Sequence, residues 1–351
     1  LVVLAFTLVG VPLAALIAWG TRQSMARDPE EAATAAFAIY LTIAALVTLV
    51  VTMVSLQDLL AALLRGRFDG GALAAALVWG GLWALHWWLA RRQLGPDRGW
   101  PHLVLGSLVS LGTAVIAFGL LLGTSLETLL LDAGDEVVLG TSGRLAGHGA
   151  TFTVGALAWA RYWPGGGARL PRTTPWFAYV LPVGVGGGLV LAVSAASVLL
   201  WQVLVWLIGD PVGTARDHFS DSPSAFAFSV AGLLAWWYHR AVLAETREER
   251  TEIVRVHEYL VAAIGLLAAA AGVGMVIVAV IESLTPGLDL GVSVLNTLLG
   301  ALTLLVVGGP LWWAFWSRIR RARTAAPAAE VSSPTRRTYL VLLFGIAGIA
   351  A

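Results

Sequence analysis

Three stretches, Val104–Leu126, Val180–Ile208 and Tyr259–Ile281, carry no charged side chain at all. Each exceeds the roughly 20 residues that a helix needs to cross a hydrocarbon core about 30 Å thick. A buried helix of a water-soluble domain normally keeps a polar face somewhere along its length, and these stretches keep none. The rest of the chain agrees, with 58% hydrophobic residues, 12% charged residues and a mean hydropathy of +0.81. Hydrocarbon offers no partner to open backbone groups, so the spans must be helices. The expected fold is all-α and integral to the membrane.

A second pattern orders the spans. The motifs Trp83-Ala-Leu-His86, Trp159-Ala-Arg-Tyr162, Trp236-Trp-Tyr-His239 and Trp313-Ala-Phe-Trp316 begin 76, 77 and 77 residues apart. A fixed period of this size marks a tandem architecture in which each unit is one supersecondary element. Two helices fit in each period, which predicts about ten transmembrane spans in parallel tandem helix-pair repeats of roughly 77 residues. The boundaries fall at 1–20 for the last helix of a truncated repeat and at 21–90, 91–163, 164–243 and 244–317 for four helix pairs. Residues 318–351 begin a further, truncated repeat. The first span is expected at Leu1–Gly20, and Asp132–Gly149 reads as a polar loop before Thr151–Trp163, the core of a weaker fifth span that must borrow residues upstream to reach across.

Arginine placement predicts orientation. Eighteen of the 22 basic residues, all of them Arg, fall on one set of alternate loops; only Arg65, Arg67, Arg144 and Arg216 fall on the other. By the positive-inside rule the Arg-rich loops are cytoplasmic and Leu1 starts outside. The inferred setting is a bacterial cytoplasmic (inner) membrane.

Composition also removes function classes. With no cysteine, disulfides, thiolate catalysis, iron–sulfur clusters and Cys-based zinc sites are excluded. A net charge of +1, without a long basic run, gives no footprint for nucleic acid. Gly-rich phosphate loops, paired catalytic carboxylates and metalloprotease or nucleophile-elbow motifs are absent, so no catalytic residues are assigned and no enzyme is expected.

Four groups of residues remain as candidates. Trp83, Trp159, Trp236 and Trp313, with Arg240 and Arg318, suit a lipid interface, where indole rings settle among headgroups. His86, His102, His239 and His257 flank Arg-rich loops and are the only candidates for b-type haem ligands. No cofactor is predicted otherwise, and no metal site has the required ligand spacing. Glu127 and Glu282 lie at the opposite ends of their spans, where acidic groups attract cations to a pore mouth. Gly184, Gly186 and Gly188 follow Pro182 in a segment that either packs closely on a neighbour or opens as a broken helix at a solute site.

Trp236-Trp237-Tyr238-His239-Arg240 and Arg336-Arg337-Thr338-Tyr339-Leu340 together resemble an uncharacterised bacterial family of multi-pass proteins, catalogued as a domain of unknown function. That family alternates W-x-x-H/Y-R helix ends with basic, Tyr-containing helix starts. The chain departs from the pattern at Trp316 and at Tyr40. The resemblance implies a fold and supplies no activity. On these grounds a non-catalytic scaffold or accessory subunit of a membrane complex ranks first, with membrane lipids and a protein partner or self-association as its contacts. A channel or transporter for a small or lipid-like solute ranks second, and a haem- or quinone-linked electron-transfer subunit third.

Overall fold

The computed structural model describes residues 35–131, 135–243, 251–285, 291 and 293–350, with isolated positions between 12 and 27. The expected first span, Leu1–Gly20, and most of the loop that follows it lie outside the described residues. In chain order the helices are α1 Ala35–Leu64, α2 Gly70–Gln93, α3 Pro96–Leu130 and α4 Asp135–Tyr162. Then come the short α5 Thr174–Tyr179, a π-helical segment Val180–Gly187, and α6 Gly188–Ile208. A four-residue α7 Ala215–His218 precedes α8 Ser222–Leu243, α9 Glu252–Leu284 and α10 Val294–Ala325. The short α11 Pro327–Ser332 and α12 Pro334–Ala350 complete the series. No strand occurs among the described residues.

Six stretches are long and apolar enough to cross a membrane: Ala35–Leu64, Gly70–Gln93, Arg98–Leu130, Thr174–Ile208, Glu252–Leu284 and Val294–Ala325. This is an all-α membrane protein. Within the spans, hydroxyl groups fold back on the preceding turn. Thr48 donates to Ala44 O at 2.6 Å, Thr52 to Thr48 O at 2.7 Å and Ser107 to Leu103 O at 2.6 Å. Each such bond removes a donor that lipid would leave unsatisfied.

One expectation is corrected. Asp132–Gly149 is not a loop for most of its length, because α4 is continuous from Asp135. Arg144 and His148 therefore stand on a helix. The segment holds that form through tertiary contacts that its polar composition conceals: Arg144 pairs with Glu127 at 3.4 Å, and Arg65 donates to Gly143 O at 3.1 Å.

Turn chemistry sets the other boundaries. Gly66 turns the chain after α1 with φ +68°, and the Asp69 carboxylate caps α2 by accepting from Ala72 N at 2.9 Å. Pro96 opens α3, where its missing N–H costs nothing. Thr214 and Asp217 cap α7 reciprocally, and hydrogen bonds from Thr214 hold the exposed Asp217 carboxyl below its usual range.

The chain divides into two compact units, Leu1–Tyr179 and Val180–Ala351. In the first, α1 packs on α2 and α3 on α4, with α1 also against α4. In the second, α6 packs on α8 and α9 on α10, and the π-helical segment lies against α8 and α9. Helices close in the chain, α6 and α8 with only the four-residue α7 between them, thus form antiparallel pairs.

Small residues bring the pairs into contact. A Cβ added at Gly188 would sit 2.6 Å from Trp236 N, and one at Gly232 would sit 2.5 Å from Ala192 N. The same meeting occurs 77 residues on, where a Cβ at Gly265 would lie 2.5 Å from Trp312 N. Gly308 faces back toward Gly265 O at 2.7 Å. In the first unit Gly155 faces Ala114 N at 2.9 Å. Helices in lipid gain nothing from hiding apolar surface from one another, so close backbone approach and dispersion must hold them together. Gly155, Gly232 and Gly308 each lie about one turn before the Trp of the repeated motif.

Candidate functional site

A cleft in the first unit opens at its Arg-poor end, between α1, the start of α2 and α4. Its volume is about 960 Å³. Ser55, Gln57, Asp58, Arg65 and Arg67 line it from α1 and the following turn, Asp69 from the cap of α2, and His148 and Thr151 from α4. Ser55 and Arg65 are ten residues apart on or just beyond α1, so the cleft reaches about 15 Å down the helix. Ala61, Ala62, Gly70, Gly71, Ala75 and Gly147 keep the walls apart by having little or no side chain.

Charge of both signs faces this space. Asp69 is committed to its cap and Arg65 to Gly143 O. Asp58 and Arg67 are exposed, and neither forms an ion pair among the described residues. A guanidinium and a carboxylate beside an imidazole and neutral hydroxyls form a donor–acceptor set suited to a small charged or zwitterionic group. The sequence places His148 in the Asp132–Gly149 loop. That placement hides the convergence of α1 and α4, some 90 residues apart, at this cleft.

At the Arg-rich ends the candidate aromatics and histidines pack densely. Trp83 Nε1 donates to Tyr162 OH at 2.8 Å, and Trp159 Nε1 to Tyr179 OH at 3.0 Å. Arg161 lies 3.7 Å over the Trp87 ring. Each histidine has its own ring or carbonyl contacts. His86 meets Tyr40 OH through Nε2 at 3.3 Å, and His102 sits edge-on to Tyr162 with centroids 6.5 Å apart. The imidazole of His239 fills the space above Gly184, where a Cβ would fall 2.2 Å from its ring, and His257 lies edge-on to Phe315 at 5.8 Å. His86 and His239 each place Nδ1 2.8 Å from the carbonyl one turn back. Among the described residues no group of three or more His, Cys, Asp or Glu is arranged to hold a metal ion.

The remaining candidates sit as follows. Gly186 faces Leu260, and Gly188 faces the Trp236 backbone, so both of these glycines, like Gly184, lie in helix contacts. Glu127 pairs with Arg144, and Glu282 is buried at the end of α9. Arg240 lies 5.3 Å over Trp236, Arg318 lies 4.8 Å over Phe315, and Trp313 is exposed beneath Arg320.

The family model described as Domain of unknown function (DUF5671) matches residues 3–81 and 255–351, half of the chain. The chain belongs to this family. The two matched stretches suggest that the DUF5671 region occurs in tandem, in keeping with the repeated Trp motif. No curated protein and no solved structure matches the chain. Membership in DUF5671 therefore brings no ligand or activity, and the residues themselves must carry any functional reading.

Proposed function

We propose that this is a non-catalytic, multi-pass protein of a bacterial cytoplasmic membrane that binds a small charged solute or headgroup at its outer face. The cleft between α1, α2 and α4 carries the reading. Its free Asp58 and Arg67 stand beside His148 in a space far larger than a water molecule, on the side where arginine is scarce. A scaffold or accessory role, ranked first on sequence alone, is favoured by the wide apolar face of α1. There Ile39, Ile43, Val47, Val50 and Val54 are all exposed along one stripe. The cleft adds a feature that a scaffold does not require.

Two measurements test this. The chain has no cysteine, so single substitutions report sidedness cleanly. A membrane-impermeant maleimide is expected to label Asp58→Cys in intact cells and Arg321→Cys only after lysis. The opposite pattern would put the cleft inside. Calorimetric titration of the detergent-purified chain with glycerol 3-phosphate and with glutamate is expected to show saturable binding of at least one. Arg67→Gln or Asp58→Asn should weaken that binding about tenfold, the usual worth of one charge-assisted hydrogen bond. Binding that is absent, or indifferent to both substitutions, removes the proposal.

A further inference from the structure

The Arg-rich end of the second unit holds a feature separate from the cleft. α10 has 32 residues and spans about 48 Å, well beyond a hydrocarbon core of about 30 Å. Its last turns carry Arg318, Arg320, Arg321 and Arg323, all exposed. α12 begins beside it, because Tyr339 meets Trp316 with centroids 6.3 Å apart and Tyr259 at 4.9 Å. Arg320 lies one turn beyond Trp316, and Arg336 lies just under one turn before Tyr339. Both steps lead toward the same end of the unit. Arg320 and Arg336 therefore both lie beyond the ring contact, Trp316 against Tyr339, through which α10 and α12 meet.

Among the described residues at this end, Glu252 and Glu330 are already engaged. Arg255 donates to Glu330 at 2.8 Å and to Glu252 at 2.6 Å, and Glu252 also accepts from Ser333 and Thr335. Arg320 is instead stacked 4.7 Å over Trp313, which fixes its height at the interface. Below the arginines the helix surfaces turn apolar at once, with Val341, Leu342 and Trp313 all exposed.

We infer that Arg320 and Arg336, above the Trp316–Tyr339 pair, form a binding site for the phosphate of an anionic phospholipid whose acyl chains lie along α10 and α12. A free phosphate offers the same charge but has no use for the apolar wall, and that difference selects the lipid. The site does not depend on the cleft or on its ligand.

The test uses the full chain purified in mild detergent, with native mass spectrometry and thermal unfolding. Dioleoylphosphatidylglycerol and dioleoylphosphatidylcholine serve as lipids, with inorganic phosphate and glycerol 3-phosphate as soluble probes. Phosphatidylglycerol is expected to be retained and to raise the melting temperature more than phosphatidylcholine does. The double substitution Arg320→Gln/Arg336→Gln should weaken phosphatidylglycerol binding about tenfold and leave phosphatidylcholine unaffected. Arg320→Lys/Arg336→Lys should retain most of the effect and shows that the fold is intact. Equal retention of phosphatidylglycerol by wild type and the Gln variant overturns the site. Soluble phosphate binding as tightly as the lipid overturns the lipid assignment.

Discussion

Gly265→Leu is expected to destabilise the second unit by about 3 kcal/mol, the upper range for overpacking at a closed contact. The cause is a backbone approach rather than a crowded side chain. A Cβ at this position would lie 2.5 Å from Trp312 N and 2.9 Å from Gly308 O, and neither atom can move without parting α9 from α10. Gly274 lies on the same helix with nothing within 4 Å of its added Cβ. Gly274→Leu is therefore the matched control, with the same loss of flexibility and the same gain of bulk but no collision. Thermal unfolding in detergent, followed by tryptophan fluorescence, should separate the two variants clearly. If both lower the midpoint alike, the close approach does not hold the pair together.

The second large effect is expected at Gly184. Its added Cβ would fall 2.2 Å from His239 Cγ and 2.3 Å from Cδ2, inside the ring itself. Gly184→Val should cost about 3 kcal/mol, and His239→Ala alone a smaller amount through the void it leaves. In Gly184→Val/His239→Ala the new methyl groups occupy the vacated space, so the double variant should be more stable than Gly184→Val by at least about 1 kcal/mol. Simple additivity in this cycle would mean that the imidazole does not depend on the glycine. A positive coupling assigns His239 to packing, and the same relation recurs at Gly106, where an added Cβ would strike the Tyr162 ring at 2.1 Å. Tyr162 and His239 occupy the same place in the repeated motif, three residues after the Trp.

The Trp83, Trp159, Trp236 and Trp313 series was legible because each bulky residue stands out against an apolar background at a constant spacing. Of the glycines that make the pairs close, the sequence singles out only Gly188. Gly155, Gly232 and Gly308 keep nearly the same period, yet glycine is so common here, 39 of 351 residues, that the recurrence does not stand out. The start of α4 failed for a different reason. Asp135, Glu136, Arg144 and His148 resemble a solvated connection, and only the bonds from Arg65 and to Glu127 show why the chain stays helical. The cleft was illegible for that same reason, since it needs His148 and Thr151 on a helix facing Ser55 and Asp58. The Pro182–Gly188 stretch reads first as a close helix contact and second as an opened helix. In the structure it is π-helical, with Gly184 set against an imidazole and Gly188 against the Trp236 backbone.

The tightest backbone approaches described above join helices that follow one another in the chain: Gly155 with Ala114, Gly188 with Gly232, and Gly265 with Gly308. This has a consequence for biogenesis. A ribosome delivers the chain to the bilayer in order, and each of these contacts becomes available as soon as its second helix has been inserted. Nothing in such a contact waits for a distant segment still to be synthesised. The protein can mature two helices at a time, each hairpin closing behind the point of synthesis before the next one arrives.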